Sequence, residues 1–293
     1  MHQLKGTGIA LVTPFNEDFS IDFDSLEKLI EHAIGGGINY LVLLGTTGES
    51  AVLSKDEKKE VVDFCKKINN GRLQLVQGVG GNNTLALVEE LRISNFEGID
   101  AILSVSPYYN KPTQEGIYLH YKMLSQVSPL PLIVYNVPGR TGSNISAETT
   151  LRLGNDFENI VAVKEASADL TQIKKILNDK PDDFLVLSGD DELTSTIIEM
   201  GGDGVIAVIG QSHPSTFSNM VNAGLNREFE KAKSLHEKLN PIYDPLYADG
   251  NPAGIKAALN IMGICKNVLR PPLVSATQQT FDKLQSFIAD EHQ

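Results

Sequence analysis

The chain lacks tryptophan and has only two cysteines, Cys65 and Cys265. Both fall in helical patterns and form no motif, so a disulfide scaffold is excluded and reduced thiols in a cytoplasmic protein are expected. The histidines His2, His32, His120, His213, His236 and His292 show no i, i+4 pair and no acidic neighbours in a metal pattern. That spacing argues against a metal-dependent mechanism. Long apolar runs are missing too: the longest are four to eight residues, far short of the ~20 a membrane span needs. The opening "MHQLKGTGIALVTPF" does not have the layout of a secretory leader, and none is expected. Positive charge is scarce, with 25 Lys and Arg against 37 Asp and Glu, a net charge of −12 and a pI near 5.0. Nothing resembles a basic stripe, which excludes nucleic acid as a partner. An anionic substrate must then be met by local cations. "GVGGNNT" from Gly78 lacks the G-x-G-x-x-G spacing, and no P-loop or G-x-S-x-G elbow occurs.

What is present is rhythm. Short apolar runs begin near Gly8, Tyr40, Leu73, Ala101, Pro131, Ile160, Phe184 and Gly204, with helical patterns between them. Near-continuous apolar runs suit parallel strands covered on both faces. Their number and spacing predict a (β/α)8 TIM barrel, an architecture that fills roughly 250 residues as one unit. Leu26, Leu29, Ile30, Ala33 and Ile34 keep helical spacing before the glycines Gly35 to Gly37, and Ser54 with Glu57 forms a capping-box pattern. "DLTQIKKIL" from Asp169 and "DELTSTIIEMGG" from Asp191 read as further helices with acidic starts. After Leu225 the alternation stops, and "REFEKAKSLHEKL", "NPAGIKAALNIMGI" and "TQQTFDKLQSFIADEHQ" are helical without strands. The expectation is an α/β barrel over residues 1–225 and a C-terminal helical region over 226–293.

In such barrels the chemistry sits at the C-terminal strand ends, and there the unusual residues gather. "GTTGES", "SPYYNKP", "YNVPGRTG", "VKEAS" and "SGDD" would converge on one mouth. Lys164 closes an apolar strand. It is either a solvated strand end or a half-buried amine, and burial disfavours the ammonium form and so frees an amine for Schiff-base chemistry. The company of the other strand ends favours the amine. The glycines of "GTTG" permit a tight turn whose N–H groups suit a carboxylate, although an ordinary βα turn uses the same residues. Tyr108, Tyr109 and Tyr135 are able to relay protons through Thr47 if a polar chain connects them; core tyrosines with satisfied hydroxyls are the plainer reading. Arg140 is either a carboxylate fork or a surface arginine.

Taken together, "GTTGES" (Gly45 to Ser50), "SPYYNKPTQEG" (Ser106 to Gly116), "YNVPGRTG" (Tyr135 to Gly142), "VKEAS" (Val163 to Ser167) and "LSGDD" (Leu187 to Asp191) resemble the dihydrodipicolinate synthases. These are pyruvate-dependent class I aldolases, akin to the N-acetylneuraminate lyases. The resemblance runs in order along essentially the whole chain. It implies a Schiff base between Lys164 and pyruvate, whose enamine attacks L-aspartate-4-semialdehyde in the diaminopimelate route to lysine, with no cofactor beyond that covalent imine. It implies a proton relay of Tyr135, Thr47 and Tyr109, the last supplied across a dimer interface, and hence a homo-oligomer, usually a homotetramer built as a dimer of dimers. Thr46 and Thr47 match the pyruvate-carboxylate loop, Arg140 the clamp for the semialdehyde carboxylate, and Gly189 and Ile206 backbone contacts near the imine.

Two alternatives stay open at this level. A lyase for N-acetylneuraminate or another 2-keto-3-deoxy sugar acid shares the lysine but as a rule lacks the arginine, and a sensing barrel without turnover needs only the pocket. Members of the family that lysine inhibits bind it near the dimer interface, where Ser50, Ala51, Asn82 and Tyr108 match. Lys55, Lys58 and Ala86 stand where those members tend to carry histidines and a glutamate. Two ammonium groups and a missing carboxylate disfavour a cationic ligand, so lysine feedback is expected to be weak or absent.

Overall fold

A computed structural model describes residues 4–290 of the chain; His2 and His292 lie outside the described residues. The apolar runs form the strands β1 (Gly6–Ala10), β2 (Tyr40–Leu43), β3 (Gln74–Gly78), β4 (Ala101–Val105), β5 (Leu132–Asn136), β6 (Ile160–Glu165), β7 (Leu185–Ser188) and β8 (Gly204–Ala207). They pair in parallel, in chain order, and β1 closes the barrel against β8. The expected TIM barrel is the observed fold.

Strand periodicity divides the apolar side chains between two layers. Tyr40, Val42, Val76, Leu103, Ile133, Tyr135, Leu185, Leu187 and Ile206 fill the barrel interior. Their alternate neighbours, such as Leu41, Ile102, Val134, Val163 and Val186, pack outward with the helices. The helices begin where the sequence supplies caps. Ser54 and Glu57 make a reciprocal capping box at Lys55–Asn69, and Asp169 caps Leu170–Asp179.

One irregularity decides which way Lys164 faces. Leu132 pairs with Ile160, but Ile133 pairs with Ala162, which leaves Val161 as an extra residue in β6. Such a bulge shifts the alternation by one and re-aims every side chain beyond it. Without it Tyr135 would face Val163 across the ladder, and Lys164 would point at the helices. With it Lys164 is level with Tyr135 and enters the barrel.

The end of the chain is helical over Phe229–Tyr247, Ala253–Ile261 and Gln278–Asp290. The first of these runs past the expected stretch and through Pro241 and Pro245, because Leu239, Ile242, Tyr243 and Leu246 continue its buried face. Two local expectations fail. The helix anticipated from Asp191 spans only Thr194–Glu199, because the buried Asp191 carboxylate is turned to the Val208 and Ile209 N–H groups instead of starting a helix. Cys265 lies in a bend after Ala253–Ile261 rather than in a helix, and is buried.

Candidate active site

At the C-terminal end of the β5–β6 rung, the Lys164 Nζ sits 4.4 Å from the centre of the Tyr135 ring. Lys164 is only 5% exposed and Tyr135 is buried beside it. Lys164 makes no hydrogen bond or ion pair with any described residue. A buried amine against an aromatic face, with no carboxylate to hold its charge, is unusual, since buried cations are normally paired. Gly189, at the end of β7, explains the room around the lysine stem. A Cβ there would fall 2.6 Å from the Ala166 Cβ and 3.1 Å from the Lys164 Cε, so a side chain would displace the amine. Ile206 on β8 lies in the same interior layer as Tyr135.

The "GTTG" loop follows β2. Leu44 leaves the strand with φ +57°, a left-handed conformation that is costly for leucine. It is accommodated because Gly78 opposite has no side chain: a Cβ there would lie 2.4 Å from the Leu44 carbonyl oxygen. The loop is then tied by Thr13, whose hydroxyl donates to the Gly48 carbonyl at 2.7 Å. The result separates the two threonines. Thr47 is buried and Thr46 is exposed.

Loop residues make the rim. Arg140, in the short helix Pro138–Thr141, is exposed and donates from Nη2 to the Asn251 carbonyl at 3.3 Å. Tyr109 is 87% exposed with φ +75°, a left-handed conformation that is strained for tyrosine. Asn82 donates to the Tyr108 carbonyl at 3.2 Å, so these two expected effector residues do meet. Ser50 and Ala51 lie in a single helical turn, and Lys55, Lys58 and Ala86 lie in the first turns of Lys55–Asn69 and Thr84–Ile93.

The C-terminal region supplies groups that the motifs did not announce. Asn251 donates from Nδ2 to the Thr47 Oγ1 at 2.9 Å, besides accepting from Arg140. Asp191 accepts from the Val208 and Ile209 N–H groups and from the Tyr247 hydroxyl at 2.5 Å. Burial raises the Asp191 carboxyl above its usual range, although these bonds pull the other way. Behind the "GTTG" loop, Glu49 forms a wholly buried ion pair with Lys256 and accepts from the Arg270 N–H at 3.0 Å. Burial lowers the Lys256 pKa, opposed by the charge of Glu49. Arg270 in turn clamps Glu57 with two guanidinium nitrogens and holds that carboxyl down at about 2. Contacts such as Asn251 to Thr47 span 204 residues of sequence, which is why local spacing gave no sign of them.

Residues 3–291 match the model of the dihydrodipicolinate synthetase family. The chain is 51% identical over 287 residues to a 4-hydroxy-tetrahydrodipicolinate synthase of Flavobacterium psychrophilum, covering 98% of each chain. Among solved structures, the dihydrodipicolinate synthase of Thermotoga maritima superposes with a TM-score of 0.96 at 38% identity, over 99% of both chains. That of Acinetobacter baumannii, complexed with pyruvate, gives 0.95 at 37%, again over 99% of both chains. The chain belongs to the dihydrodipicolinate synthetase family.

Proposed function

We propose that the chain is a metal-independent class I aldolase-type enzyme that condenses pyruvate with L-aspartate-4-semialdehyde to 4-hydroxy-tetrahydrodipicolinate, on the route through diaminopimelate to lysine. The observation that carries this reading is the unpaired Lys164 amine over the Tyr135 ring in a buried barrel mouth. The names of full-length relatives at up to 51% identity agree with it. The free amine of Lys164 attacks the pyruvate ketone, and loss of water gives the imine. A methyl proton then leaves, and the enamine carbon bonds to the semialdehyde carbonyl carbon. The substrate amino group displaces Lys164 from the imine carbon, which closes the ring and frees the lysine. The lysine itself is the electron sink, so no other cofactor is required.

Thr47 and Tyr135 are the proposed relay for the protons of these steps, completed by Tyr109 from a second copy of the chain. The support for the second copy is that Tyr109 is strained and exposed rather than folded onto its own site. A homotetramer built from two such dimers is the proposed assembly. The Thr46–Thr47 turn holds the pyruvate carboxylate, with Gly189 and Ile206 bounding the imine. Arg140 takes the semialdehyde carboxylate, docked from behind by Asn251. Arg140 and Lys164 thereby answer the need for local positive charge in an acidic chain. The site built on Ser50, Ala51, Lys55, Lys58, Asn82, Ala86 and Tyr108 responds weakly or not at all to lysine. Strong inhibition in a lysine titration would overturn that part.

Pyruvate consumption measured with the semialdehyde, and separately with N-acetylmannosamine, tests the assignment. Turnover with the semialdehyde alone is expected. Turnover with the sugar alone would keep Lys164 but replace the substrate, and pyruvate binding without turnover would leave a sensor.

A further inference from the structure

We propose that Glu165 and Asn136 act as positioning residues, forming a lock on the outer face of the β5–β6 rung that aims Lys164 for imine formation. The inference rests on the reading of Lys164 as the imine-forming amine. Tyr135 pairs with Lys164, and the next rung pairs Asn136 with Glu165. Alternation sends the second pair away from the barrel interior, and both members are buried. The Glu165 carboxylate accepts from the Asn136 Nδ2 at 3.0 and 3.1 Å, from the Ser167 N–H at 2.8 Å and from the Gln172 Nε2 at 3.0 Å. The Asn136 amide is oriented by the Ile145 N–H, which donates to its Oδ1 at 2.9 Å. Main-chain bonds finish the closure: Ala166 N–H donates to the Asn136 carbonyl at 2.9 Å, and Gly189 N–H to the Glu165 carbonyl at 2.8 Å. The residues that follow Lys164 are therefore tied to β5, to β7 and to the helix Leu170–Asp179.

A plain packing role does not account for the choice of side chain. Glu165 has no ion-pair partner among the described residues, and a buried carboxylate without a cation is costly. A neutral side chain would fill the same space at lower cost. What the carboxylate adds is two acceptor oxygens able to take charge-assisted bonds from several donors at once. A glutamine in its place would set its own NH2 against the NH2 of Asn136. The lock would loosen, the fold would remain, and the bulge-dependent aim of Lys164 at Tyr135 would drift. Misplacement of a reacting group by about 1 Å costs on the order of a hundredfold in rate.

The test uses the full chain, with pyruvate as the only substrate and borohydride as the trap, and follows the mass gained at Lys164. Glu165→Gln is expected to slow adduct formation by about tenfold or more. It should keep the circular-dichroism spectrum and the semialdehyde KM, while kcat falls with the trapping rate. Trapping at the wild-type rate, or a change confined to the semialdehyde KM, would overturn the lock. Gln172→Ala removes one outer donor from a half-buried position and is expected to slow trapping by about twofold to threefold with the melting temperature unchanged. Should Glu165→Gln fail to fold, this second variant decides: slower trapping supports the lock, and wild-type trapping refutes it. Absence of an adduct in the wild-type chain would instead remove the Lys164 reading, and the lock with it.

Discussion

Among the described residues two lysines are buried, Lys164 and Lys256, and they are buried in opposite ways. Lys256 is 0% exposed and paired, with Glu49 as ion pair and the Val268 carbonyl as acceptor at 2.8 Å. Lys164 is almost as deeply placed but has only the face of Tyr135 and no carboxylate. Both lie near an aromatic ring, Lys256 being 4.2 Å from the centre of Phe15. The ring therefore does not separate them; the carboxylate does. The paired lysine is a structural strut that joins the C-terminal region to the "GTTG" loop, whereas Lys164 has no partner among the described residues that would tie it to a structural role. Burial alone does not separate these two lysines; the missing counter-charge is what singles out Lys164 as the proposed imine former.

The comparison breaks most visibly at Lys164 itself. Lys164→Ala should lower kcat by about a thousandfold or more, with no loss of thermal stability, since it removes an unsatisfied group; steady-state kinetics and calorimetry read the two halves. At Lys256 the pattern inverts. Lys256→Met leaves Glu49 as a lone buried charge and should cost about 3–5 kcal/mol in denaturant unfolding. Replacing Glu49 by glutamine as well should recover much of that loss. The proposed relay comes next: Tyr135→Phe should reduce kcat by about a hundredfold and still permit borohydride trapping of pyruvate, though more slowly. Arg140→Ala should raise the semialdehyde KM by about tenfold or more and leave pyruvate trapping untouched; unchanged semialdehyde kinetics would revive the sugar-acid alternative.

A further test concerns a buried histidine rather than a lysine. Burial drives the His120 pKa from its ordinary 6.5 down to about 4, and its ring bonds only to Thr84 among the described residues. Between those values the unfolded chain binds the proton and the folded chain does not. Stability should thus be lost as the pH falls from 6.5 through about 4, by on the order of 3 kcal/mol. A His120→Gln variant should show a shallower acid dependence of its melting temperature than the wild type over that window.

How much of this was legible beforehand follows from the range of the interactions involved. The barrel was readable because each strand announces itself locally, as a short apolar run between amphipathic stretches. Lys164, Tyr135 and Thr47 were readable as strand-end residues; the structure sets Lys164 against Tyr135, whereas Thr47 bonds Asn251 and, among the described residues, no hydrogen bond joins it to Tyr135. The bulge at Val161 was not readable, because a register shift between β5 and β6 is a property of two strands and not of either sequence. Alternation counted along β6 alone left the direction of Lys164 open. Nor was the return of Asn251, Tyr247 and Lys256 to the mouth, since these contacts join residues more than fifty positions apart. "NPAGIKAALNIMGI" read as helix, and Ala253–Ile261 within it is one. That its first residues would dock Thr47 and Arg140 depends on where the last helices pack. The polar outer pair Asn136 and Glu165 stood inside quoted motifs, yet their meeting across the ladder needed the register.

The most direct measurement is the site of the pyruvate adduct. The chain is incubated with pyruvate, reduced with borohydride, digested, and its peptides weighed. The account predicts a single reduced pyruvate adduct, on Lys164, with Lys256 unmodified. An adduct on another lysine, or full turnover with no adduct at all, would contradict it.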